Sequence, residues 1–112
     1  MSTDLKTIQR QLKIKTGVVK RQIKELNLYR QEEAENVQKV EKLKAAAADG
    51  ADIRHAETVL NEAKKMVPDA QGRTGKAVDD LKDLLAQATK IPELADDLDI
   101  INAKKALEQA EL

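Results

Sequence analysis

The 112-residue sequence predicts an all-α fold, an elongated antiparallel three-helix bundle whose middle helix is kinked at Pro68. Three observations predict it. Aromatic residues amount to 1%, a single Tyr29 with no Phe and no Trp, so any core must be built from Leu, Ile, Val and Ala. An all-β sandwich draws instead on aromatic and β-branched residues and on regular turn signals. Apolar residues recur in steps of three and four over long stretches, which is the spacing of one helix face. Two short clusters, Asp49-Gly50-Ala51-Asp52 and Thr89-Lys90-Ile91-Pro92, divide these stretches into three. The length suits one domain over residues 1–112, and a hydrophobic fraction of 41% is too high for a simple disordered chain.

The first helix is expected from about Asp4 to Ala47. A heptad seam runs Leu5, Leu12, Val19, Leu26, Glu33, Val40, Ala47, flanked by Ile8, Ile23, Tyr29, Val37 and Leu43. One helix cannot bury its own apolar face, so this stripe requires a partner surface. Asp4 suits the N-cap. Gly17 lies mid-helix at a cost of ~1 kcal/mol relative to Ala, which fits a solvent-facing position or a close helix approach. In the first break, Gly50 can take the left-handed conformation that ends helices, and Asp52 can cap the helix that follows. So short a connection makes the first two helices antiparallel neighbours.

The second helix is expected from about Asp52 to Ala88. Ile53, Ala56, Leu60, Ala63, Val67, Ala70, Thr74, Ala77, Leu81, Leu84 and Ala88 keep the three-four spacing without a slip, although Pro68, Gly72 and Gly75 fall inside. A loop at Pro68 would shift that phase. One kinked helix is therefore favoured, with Pro68 removing the bond to the Lys64 carbonyl. The alternative is two helices meeting at Pro68-Asp69, with Pro68 in a first-turn position and the helix-weak run Gly72-Arg73-Thr74-Gly75 behind it. Pro92 opens the third helix, expected over about 93–110, and Glu93, Asp96 and Asp97 suit its positive N-terminal end. Leu94, Leu98, Ile101, Leu107 and Ala110 would form its apolar face. The expected core is Leu12, Val19, Ile23, Leu26, Val37, Val40, Ile53, Leu60, Leu81, Leu84 and Ile101.

Several function classes are poorly supported. No apolar run approaches the roughly 18 residues of a membrane helix, and Met1-Ser2-Thr3-Asp4 lacks the apolar stretch of a secretory signal. The absence of Cys leaves no disulfide and no thiolate zinc site. These features favour a cytosolic protein. The lone His55, beside Arg54, cannot make a multi-histidine site and reads as a surface residue. No Gly-rich phosphate loop and no nucleophile motif is present, so neither an enzyme nor a cofactor is expected.

The net charge is zero but unevenly spread. Residues 1–25 carry seven basic side chains against two acidic ones, and residues 92–112 carry six acidic against two basic. Lys6, Arg10, Lys13, Lys20 and Lys24 lie opposite the seam of the first helix, with Lys15 and Arg21 to the sides. This stripe can be a docking surface for an acidic partner, or it can pair with the acidic third helix inside the fold. Nucleic acid is disfavoured, because no aromatic platform accompanies the basic residues.

Two segments carry a resemblance. Lys13-Ile14-Lys15-Thr16-Gly17-Val18-Val19-Lys20-Arg21 resembles the N-terminal signature of the tubulin-binding cofactor A family, and Met66-Val67-Pro68-Asp69 with Gln71 and Arg73 resembles its M-[IV]-P-D-x-Q-x-R stretch. The resemblance covers roughly residues 12 to 110. It departs from the family at Gly72, Thr74 and Gly75, where stronger helix formers are usual, and in the plain Ala45–Ala48 run. The resemblance implies a cytoplasmic, cytoskeleton-associated chaperone that captures β-tubulin released from the cytosolic chaperonin and passes it to other tubulin-folding cofactors. It implies no catalysis, nucleotide or metal. Lys13, Lys15, Lys20, Arg21 and Lys24 are then the candidate partner-binding residues, with Met66, Pro68 and Asp69 as a second region. The chain is expected to be a monomer rather than a homodimer. The rival expectation is a coiled-coil structural or adaptor protein that pairs the first helix between chains.

Overall fold

The structure is a computed structural model and describes residues 4–111. Three α-helices follow one another: α1 (Leu5–Ala45), α2 (Gly50–Ala88) and α3 (Leu98–Ala110), with a short 3-10 turn (Pro92–Leu94) before α3. No strand occurs among the described residues. The chain divides into two compact units, one holding the chain up to Lys24 together with Arg73 onward, the other holding Glu25–Gly72.

The first unit contains parts of all three helices around one apolar core. Leu12 and Val19 of α1 meet Ala77, Leu81 and Ala88 of α2, Leu94 of the 3-10 turn, and Ile100, Ala103 and Ala106 of α3. Leu12, Val19, Leu81 and Leu94 are the largest of the fully buried side chains. Without aromatic rings the volume is filled by branched aliphatics, and alanines on α2 and α3 let the helix backbones approach. A polar tie joins α1 to α2 where the Thr74 hydroxyl donates to the Gln22 carbonyl at 3.3 Å. At the start of α1, Asp4 accepts the Lys6 N–H on its carboxylate at 3.1 Å, as an N-cap does.

The second unit is a helical hairpin that buries Leu26, Val40, Ala56 and Ala70, with Val37, Ile53 and Leu60 half-buried. Its turn is built differently from the expectation. Ala47, not Gly50, takes the left-handed conformation, with φ of 52°. The Ala48 N–H bonds the Leu43 carbonyl at 3.0 Å and the Ala47 N–H bonds the Lys44 carbonyl at 3.1 Å, which is the Schellman pattern. Gly50 is the first residue of α2. The cap is Asp49 rather than Asp52: its carboxylate accepts the Ala51 N–H at 3.3 Å and its carbonyl accepts from Asp52 and Ile53. The sequence favours Gly at the left-handed position, but helix 1 had already closed its last turn three residues earlier.

α2 runs through Pro68 as one α-helix, so the two-helix alternative is not adopted. Ala70, Thr74, Ala77 and Leu81 are buried in unbroken phase, while Pro68, Gly72 and Gly75 face solvent. The third helix differs most from expectation. The chain after Pro92 makes a single 3-10 turn, and α3 begins only after Asp97, whose carboxylate accepts the Asp99 N–H at 2.8 Å. The turn resets the helical phase. Ile100, Ala103 and Ala106 therefore face the core, and Leu98 and Ile101 are exposed at 66% and 42%. Ile101 leaves the expected core. Ile23 and Leu84 are half-buried against the first unit's core.

Candidate partner-binding site

The basic residues of α1 lie in the first unit. A helix places residues three, four and seven apart on one face, so Lys13, Thr16, Gly17 and Lys20 share a face. With Asp99 and Asn102 of α3 they line a groove of about 180 Å³. Lys13 Nζ stands 3.9 Å from Asp99 Oδ2, its own side chain 71% exposed and that of Asp99 12%. One of the candidate binding residues, Lys13, thus has an acidic neighbour on α3. With the lysine so exposed and the separation so long, the pair contributes at most ~1 kcal/mol.

The two aspartates at the start of α3 are pushed in opposite directions. Burial raises the pKa of Asp99 above its ordinary value, opposed by the nearby Lys13 ammonium and reinforced by the charge of Asp97. Asp97 is held below its ordinary value, first by the Gln9 amide that donates to its carboxylate and then by the Asp99 N–H.

Lys15 is half-buried and lines a second groove, of about 260 Å³, with Asp80, Asp83, Leu84 and Gln87 of α2. Lys20, Arg21 and Lys24 are exposed. Among the described residues, none of Lys15, Lys20, Arg21 and Lys24 forms an ion pair. Gly17 is not demanded by packing, since a Cβ there would meet only Arg21 Nη1 at an ordinary 3.6 Å.

Met66, Pro68 and Asp69 belong to the other unit, on α2. All three are exposed, Met66 at 37%. Three residues of the first groove escaped the sequence reading: Thr16, Asp99 and Asn102. Thr16 is a polar residue within the basic run, and in the fold it is only 5% exposed. Among the described residues no group of three His, Cys, Asp or Glu side chains is placed to hold a metal, and no helix is long and apolar enough to cross a membrane.

The model of a family described as tubulin binding cofactor A matches residues 7–107. Tubulin-specific chaperone A of Gallus gallus is 43% identical over 84 residues, covering 75% of this chain and 78% of the relative. Tubulin-folding cofactor A of Arabidopsis thaliana is 37% identical over 102 residues, 91% of this chain and 89% of the relative. The crystal structure of the Arabidopsis thaliana cofactor superposes with a TM-score of 0.87 at 36% identity, covering 93% of this chain and 95% of that one. Human tubulin chaperone cofactor A superposes with a TM-score of 0.81 at 33% identity, covering 94% and 99%.

Proposed function

Because the chain belongs to the tubulin binding cofactor A family, we propose that it is a tubulin-folding chaperone that captures β-tubulin released from the cytosolic chaperonin and holds it for assembly of the αβ heterodimer. The observation that carries this is the family match over residues 7–107, together with the three-helix fold shared with two tubulin cofactors. Capture by binding requires no catalytic constellation, and the chain acts as a non-enzymatic, cytoplasmic monomer that hands its cargo to other tubulin-folding cofactors.

The contact is partly electrostatic. Lys20, Arg21 and Lys24 are exposed cations without an ion pair among the described residues, and such groups steer an acidic protein toward a surface. Lys15 and Lys13 extend the face, Lys13 sharing its charge with Asp99. Met66, Pro68 and Asp69 form a second contact region.

The test is gel filtration of the purified chain with β-tubulin and, separately, α-tubulin. Co-migration with β-tubulin alone is expected. No complex, or equal complexes with both, overturns the proposal. Lys20→Glu with Lys24→Glu should weaken capture and flatten its salt dependence while leaving the melt unchanged. Lys13 is omitted from that variant because a glutamate there would stand beside Asp99. Sedimentation equilibrium of the chain alone distinguishes the monomer from a coiled-coil dimer.

A further inference from the structure

The groove between α1 and α3 in the first unit carries an exposed aliphatic side chain beside each of its walls. Residues three or four apart lie side by side on a helix. Ile14 therefore stands next to Gly17 on the α1 wall, and Leu98 next to Asn102 on the α3 wall. Ile14 is 50% exposed and Leu98 66%. Both lie off the core, which α1 and α3 fill from other faces with Leu12, Val19, Ile100 and Ala103. Between them the groove is lowered at Gly17, where a Cβ would meet only the flexible Arg21 guanidinium. Glycine weakens a helix interior, and no packing within the chain calls for it here. The rim is basic. Lys13 and Lys20 line the groove, and the exposed Arg10 lies one turn before Ile14. Lys20 has no ion pair among the described residues. Asp99 does not cancel this charge at the surface, since its side chain is only 12% exposed and faces Lys13.

We propose that this groove docks an amphipathic α-helix of the partner protein, with an apolar ridge set between Ile14 and Leu98 and acidic residues facing Arg10, Lys13 and Lys20. Charge complementarity selects an acidic guest. The walls select a helix. The backbone groups of α1 and α3 are bonded within their own helices, so neither wall offers the strand edge that an extended segment needs. A helix instead lays a ridge of side chains into a groove, and the missing Cβ at Gly17 lets that ridge come close. Lys13 and Lys20 are two turns apart, about 10 Å along the axis. Apolar residues at i, i+4 and i+7 of the guest match that length. This assignment rests on the chain being a protein-binding cofactor, and it deepens that reading by giving the form of the bound segment and the glycine over which it lies.

The test uses the full chain and two readouts. In β-tubulin capture, Ile14→Gln with Leu98→Gln should weaken binding about tenfold or more while the melting temperature holds, because both side chains are exposed. Gly17→Ala should keep or raise the melting temperature and yet weaken capture, a pairing that a purely structural glycine would not produce. The assignment is overturned, without harm to the chaperone function, if either variant captures β-tubulin as the wild type does. The second readout needs no tubulin. A blocked Ala-rich helical peptide, with Leu at i, i+4 and i+7 and Glu alongside, is titrated into the chain and followed by amide NMR. Saturable shifts at Ile14, Gly17, Leu98 and Asn102 are expected. The same peptide with Lys in place of Glu, or with a central Pro that breaks its helix, should leave these signals in place. No shift with the Glu peptide, or equal shifts with the Lys peptide, overturns the assignment. Equal shifts with the Pro peptide replace the helix by an extended segment and overturn it too. A dimer of the chain alone that Ile14→Gln with Leu98→Gln dissociates in sedimentation makes the guest a second copy, which also overturns it. A chain that binds the Glu peptide at this groove but not β-tubulin leaves the assignment standing and removes the tubulin proposal instead.

Discussion

Replacing Gly72 and Gly75 by alanine asks whether α2 is a continuous helix in solution. Both glycines lie inside α2 after Pro68, and both are exposed. A Cβ built at either meets nothing within 4 Å, so alanine adds no clash. Each glycine in a helix interior costs ~1 kcal/mol relative to alanine, because more backbone freedom is lost on folding. Gly72→Ala with Gly75→Ala should therefore stabilise the chain by about 2 kcal/mol. At about 4 °C per kcal/mol for a domain near this size, the melting temperature should rise by roughly 8 °C. Thermal unfolding by far-UV circular dichroism measures it, with urea titration as a check on the free energy. If residues 68–75 were a loop, alanine would bring no helix-propensity gain. An unchanged or lowered melting temperature in the double variant refutes the continuous helix and restores two helices meeting at Pro68-Asp69.

Three further outcomes are expected. Ala47→Gly should stabilise the chain by about 1 kcal/mol in urea titration, since an L-residue in the left-handed region costs ~1–2 kcal/mol and glycine's extra entropy returns part of that; a loss of stability would mean that Ala47 is not left-handed. Leu81→Ala, at a side chain with no exposure, should cost about 2–5 kcal/mol, whereas Ile101→Ala, at 42% exposure, should cost far less; equal losses in chemical denaturation would contradict the phase of α3. Gln9→Ala should move the Asp97 carboxyl upward toward its ordinary value of 3.8, read by NMR titration, because the Gln9 amide is the largest cause of its depression. Asp97 contributes stability that is present above that ordinary value and lost as pH falls through its lower folded value. The acid side of the pH–stability curve should therefore flatten in Gln9→Ala, and an unmoved Asp97 would show that another group sets its pKa.

The helices themselves were legible because their causes are local. The three-four spacing from Ile53 to Leu81 keeps one phase across Pro68 and two glycines, and a phase is a property of the residue string alone. Leu12, Val19, Leu26, Val40 and Leu81 were identified as core on the same ground, and all five are buried. The two segments that carry the family resemblance, around Lys13–Arg21 and Met66–Asp69, are likewise strings of residue types. Tertiary structure decided what depends on where a chain end meets a surface. Ala47 rather than Gly50 took the left-handed position, because the geometry of the last turn of α1, closed by the Leu43 and Lys44 carbonyls, selects the position and not the residue best suited to it. A single 3-10 turn after Pro92 rotated α3, exchanging Leu98 and Ile101 for Ile100, Ala103 and Ala106 at the core. That same rotation placed Asp99 beside Lys13 and Asn102 across from Thr16. Such a pairing joins residues more than eighty positions apart, and no periodicity along one helix encodes it. It follows from the packing of small alanines that lets α3 lie close against α1.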